Sequence, residues 1–161
     1  MSTTFKEFLR EQAAKEATQA AKALDVVTEW RGAVERLFHQ IRAWLAESDP
    51  EGHIEIQERQ QEIKEPSLGR YQVPRLDLHA FGKWIGIIPK SRRAMASARP
   101  RHKDAPLPSD GRVDITDELQ RYVLYRFREG GRDEWTIEGV DSPQQVLDQN
   151  AFERALMSYL Q

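Results

Sequence analysis

Across residues 20–45, apolar side chains recur every seven positions in two interleaved series. One is Ala20, Val27, Val34 and Ile41; the other is Ala23, Trp30, Leu37 and Trp44. The series are offset by three residues, so they share one side of a 3.6-residue helix. Leu24, Phe38 and Leu45 widen that stripe. The first 48 residues contain no proline and one glycine, Gly32, and are rich in strong helix formers. The pattern predicts a long amphipathic helix ending at Ser48, Asp49, Pro50 and Gly52. Upstream of Ala20 the stripe thins to Phe5, Phe8, Leu9 and several alanines. That part reads either as a separate helix or as an extension of the long one.

From His53 the period changes to two. Ile54 and Ile56 alternate with polar neighbours and start a strand that runs on polar through Glu62. A turn at Pro66, Ser67 and Gly69 leads to a second strand with Leu76 and Leu78. Pro74 suggests an edge or a bulge there. Gly82-Lys83 reads as a hairpin turn before a buried strand of Trp84, Ile85, Ile87 and Ile88. Residues 90–111, with three prolines and Asp110-Gly111, read as a loop. Val113 and Ile115 then lead to the clearest strand, Tyr122–Phe127. Gly130-Gly131 turns it back into Trp135 and Ile137. In the C-terminal stretch, Ser142-Pro143 with Gln145 has the form of a helix start, and Asn150 with Glu153 offers a second.

These elements predict an α+β fold. A long N-terminal helix and a short C-terminal helix would pack on an antiparallel sheet of about five or six strands. The organisation expected is a helical segment over 1–48 and a sheet with its loop and final helix over 49–161, the helix packed on the sheet. No alternating βα pattern, dinucleotide fingerprint, phosphate-cradling loop or nucleophile elbow is present.

Composition narrows the chemistry. The 161 residues include no cysteine, which excludes disulfides, thiolate zinc sites and a cysteine nucleophile. Met1–Arg10 carry mixed charge without an apolar run, so no secretory signal is expected. The longest nearly apolar run, Trp84–Pro89, is far short of a membrane span. A soluble cytoplasmic protein with no membrane role is the expectation. The net charge of −2 hides a basic middle: residues 70–112 carry +7 between flanks of −4 and −5.

Two surfaces could carry function. The helix stripe, with Val27, Trp30, Val34, Leu37, Ile41 and Trp44 as anchors, suits an oligomer or a protein partner, since tryptophan concentrates binding energy at interfaces. The same stripe equally suits packing on the chain's own sheet, with residues 3–19 left to reach a neighbour. The alternative is nucleic-acid binding through Lys90, Arg92, Arg93, Arg99, Arg101 and Lys103, which fall in fourteen residues without an acid. Tyr125, Arg126, Phe127 and Arg128 could offer a stacking surface. Period two instead makes the two rings core, with the arginines outward.

Catalytic readings rest on less. His53 and Glu55 with Asp77 and His79 could hold a metal if their strands met. Asp114, Asp117 and Glu118 fit turn chemistry better than acid–base work. No catalytic residue, cofactor or metal is assigned, and the expected function is a non-catalytic protein-binding or assembly subunit.

Overall fold

A computed structural model of the chain describes residues 4–96 and 107–161. One continuous helix, α1, spans Phe5–Ser48. Thr4 caps it in a reciprocal box with Glu7, whose backbone N–H donates to Thr4 Oγ1. This start signal is plain in the sequence as Thr-x-x-Glu, and it makes the thin upstream stripe part of the same helix. At the other end, the Asp49 side chain accepts from the N–H groups of His53 and Ile54, turning the chain into the sheet.

Among the described residues nine strands follow: β1 (Glu55–Glu65), β2 (Gly69–Ala80), β3 (Lys83–Ser91), β4 (Ala94–Ala96), β5 (Leu107–Ser109), β6 (Arg112–Thr116), β7 (Arg121–Glu129), β8 (Arg132–Gly139) and β9 (Ser142–Val146). Helix α2 (Gln149–Leu160) closes the chain. Seven strands form one sheet in the order β1-β2-β3-β6-β7-β8-β9, every neighbour antiparallel. β4 and β5 form a separate two-stranded ribbon.

The fold is therefore α+β with an antiparallel sheet, as the alternation predicts, and has seven main strands rather than five or six. The additional main strand is β9. Its Ser-Pro start resembles a helix cap, but Ser142 pairs with Gly139, and Pro143 is tolerated because β9 is an edge. α2 begins six residues later, where the Asp148 side chain accepts from Ala151 N–H. The opposite edge, β1, is long but lined with charge, which discourages pairing with another sheet.

Both helices lie on one face of the sheet. Val27, Trp30, Val34, Phe38 and Ile41 of α1 share a core with Val73, Leu76, Ile85, Ile87, Val113, Ile115 and Leu124 of the strands and Phe152 of α2. Trp44 meets Phe152 at 5.7 Å between ring centroids. On the other face, the ribbon covers Tyr125 and Phe127 with Ala96. Among the described residues, no helix is long and apolar enough to cross a membrane.

Candidate functional site: the projecting half of α1

α1 is about 66 Å long at 1.5 Å per residue, and the sheet covers only its second half. Every residue from Phe5 to Lys22 is exposed, and full burial begins at Val27. Some 27 Å of helix thus stands clear of the body. Its sequence explains how it stays helical there. Alanine, glutamate, lysine and glutamine dominate, and elongation from an already packed helix avoids the nucleation cost.

Phe5, Phe8 and Leu9 sit on the same angular side as the downstream core stripe, and they are 74, 48 and 50 % exposed. Leu24 adds a fourth exposed apolar group nearer the body, at 64 %. Charge along Phe5–Val26 is balanced. Lys6, Arg10, Lys15 and Lys22 face an equal number of acids, Glu7, Glu11, Glu16 and Asp25.

The six side chains expected to anchor a partner sit elsewhere. Val27, Trp30, Val34, Leu37 and Ile41 are buried in the chain's own core, and Trp44 is half-buried against α2. The cause is continuity: one stripe runs the length of the helix, and its downstream half is covered by the chain's own sheet. Side chains already covered have no area left for another molecule. What remains for a partner is the thinner upstream part of the stripe.

An ion network locks α1 to the sheet where the body begins. Arg126 of β7 is fully buried, contrary to the outward orientation expected from strand alternation. Its guanidinium donates from Nη1 and Nη2 to the two Glu29 oxygens, at 2.9 and 2.6 Å, and from Nε to Asp133 at 2.9 Å. Arg36 reaches the second Asp133 oxygen at 3.0 Å. The hydrogen bond from Arg126 is the main reason that Glu29 stays ionised below the usual carboxylate range. Burial pushes Asp133 up, but Arg36 and Arg126 outweigh it and lower it. An open cleft of about 900 Å³ beside this network is walled by Trp44, Trp135 and Leu147.

The basic segment is only partly in view. Lys90 and Arg93 are exposed, and Arg92 is mostly covered. Arg99, Arg101 and Lys103, with His102, lie outside the described residues. Tyr125 and Phe127 are buried beneath the ribbon, so their rings offer no stacking platform.

The histidine and carboxylate pairs do not converge. Glu55 stands opposite His79 in the sheet register, but His53 leans on Glu51 at 3.0 Å. Asp77 is 2 % exposed and takes hydrogen bonds of 2.7 Å each from Arg59 Nε, Arg75 Nη2 and Trp84 Nε1. Burial pushes its carboxyl up, and those three donors overcome that and hold it at about 2. Asp114 is likewise buried and held by Arg112. Asp117 does serve the turn, accepting from Leu119 and Gln120 N–H. Among the described residues, no three His, Asp or Glu groups are placed to hold a metal ion.

These features define an α+β protein with a helix that projects from its sheet and carries exposed apolar side chains. No family model, curated protein or solved structure significantly matches the chain.

Proposed function

We propose that the protein is a non-catalytic cytoplasmic assembly subunit, and that the projecting half of α1 joins it to another chain, a second copy of itself in the first instance. The observation that carries this reading is the exposure of Phe5, Phe8 and Leu9 on a helix that continues well past its own sheet. Apolar groups on one side of a solvated helix favour association, because pairing two such helices removes that area from water. The balanced charge of Phe5–Val26 supports like pairing with like, since two net-neutral helices do not repel each other. A cytoplasmic setting accords with the lack of cysteine.

Light scattering on the full chain over a concentration series tests the reading. The expected result is a mass that rises to a multiple of 18.7 kDa. The substitutions Phe8→Glu and Leu9→Glu together should return it to the monomer. A monomer at all concentrations overturns self-assembly.

Nucleic-acid binding through the basic segment is a second reading. Lys90 and Arg93 favour it, being exposed and without an ion-pair partner among the described residues. It predicts steeply salt-dependent binding of an oligonucleotide.

A further inference from the structure

A groove of about 530 Å³ opens where the projecting half of α1 joins the body, between that helix and the turn from β1 to β2. Its floor is aliphatic: Ala23, Val26 and Leu68 are each half-buried. Its rim is cationic: Lys22 and Arg93 are exposed with no ion-pair partner among the described residues. Arg92 is the third cation. It is 13 % exposed, its Nε is buried with no hydrogen-bond partner among the described residues, and the Asp110 carboxylate stands 3.9 Å from its Nη1.

One carboxylate, Glu65, also lines the groove, but it is used internally. Its oxygens accept from Arg92 N–H at 2.9 and 3.1 Å, and from Tyr71 OH. Among the described residues the groove is therefore lined by three cations, one of them largely desolvated and paired with Asp110 at 3.9 Å, and by one carboxylate, Glu65, that is already engaged. An arginine largely withdrawn from water, with one donor unmet and its Asp110 partner no closer than 3.9 Å, gains from a further anion.

We propose that this groove seats an acidic amphipathic helix of a partner protein. The partner's aliphatic side chains would lie on Ala23, Val26 and Leu68, and its carboxylates would meet Lys22, Arg92 and Arg93. The floor decides between protein and nucleic acid. A sugar–phosphate chain gains little from aliphatic walls, and single-strand sites use aromatic rings for stacking, of which this groove has none among its described lining residues. An acidic amphipathic helix uses floor and rim together. The volume admits a few aliphatic side chains from one helix face rather than a whole helix. This site is separate from self-association through Phe5, Phe8 and Leu9.

The test uses the full chain and fluorescence anisotropy. The probes are a labelled two-heptad peptide with leucine at helical spacing and glutamate elsewhere, the same peptide with lysine for glutamate, and a short oligo-dT. The acidic peptide should bind at least about tenfold tighter than the basic one, since it meets Lys22 and Arg93 with attraction where the basic one meets them with repulsion. The double substitution Lys22→Glu and Arg93→Glu should abolish or reverse that preference. Both residues are exposed, so the melting temperature should hold. Its oligomeric state, read by light scattering, should also hold, which separates failure of this site from failure of self-assembly. Equal affinity for both peptides, an unchanged preference in the double variant, or binding of oligo-dT alone overturns the proposal.

Discussion

The indole of Trp30 lies against the backbone of Gly111. A Cβ added at Gly111 would stand 2.3 Å from Trp30 Cζ3 and 2.6 Å from Cη2. The largest fully buried side chain of the core thus depends on a residue with none, just before β6. On its other side Trp30 stacks on Trp135 at 6.3 Å, so the ring cannot slide away. Gly111→Ala should cost about 1–3 kcal/mol in urea unfolding, the range for overpacking a close-fitted core. A neutral result would mean that Trp30 does not occupy this position.

Arg126 should be the most costly single charge to remove. Arg126→Leu leaves Glu29 and Asp133 in a partly desolvated site with only their outer contacts to Arg36 and Arg128, and should destabilise by about 3 kcal/mol, the lower end for breaking a buried pair. Replacing all three together, Arg126→Met, Glu29→Leu and Asp133→Leu, should recover most of that loss. Chemical denaturation of the single and triple variants checks both statements. A mild single variant would place Arg126 in solvent.

Acid should weaken the fold in part through Asp77. Its folded carboxyl sits at about 2, below the ~3.9 of an unfolded aspartate. The native state therefore favours the carboxylate. That contribution is complete above roughly pH 4 and is lost as pH falls towards 2. Glu29 and Asp133 are lowered as well and add in the same direction. Asp77→Asn should be less stable at neutral pH and should lose part of the acid slope. An unchanged slope in that variant would remove Asp77 from the account.

Much of this architecture was legible in the chain. The seven-residue series from Ala20 to Trp44 marked the helix and its buried side, and Tyr122–Phe127 with Gly130-Gly131 marked the central hairpin. Pattern alone could not decide what the stripe packs on, because a helix face that fits a partner also fits the chain's own sheet. Arg126 was misplaced for a related reason. Alternation does assign it to the face opposite Tyr125 and Phe127, but it does not show that α1 brings Glu29 over that face. At β9 the Ser-Pro signal served a strand, since an edge position tolerates what a helix start also favours. The groove at Lys22 was beyond reach, because its floor and rim come from α1, the β1–β2 turn and the two residues that follow β3.

Removing residues 1–19 should leave the body intact. Every described residue among them is exposed, so the unfolding free energy should stay within about 0.5 kcal/mol. Association should disappear at the same time. A large loss of stability would show that the projecting segment packs on its own body.

The most direct measurement uses the absence of cysteine. In a pair of projecting helices, residues near the middle of the segment, such as Ala13, meet their own copies. A single Ala13→Cys substitution should therefore give rapid disulfide-linked dimers under mild oxidation. Val140→Cys, at a site 92 % exposed but far along the chain, should not. Equal cross-linking at both positions, or none at Ala13→Cys, would contradict an interface on the projecting half of α1.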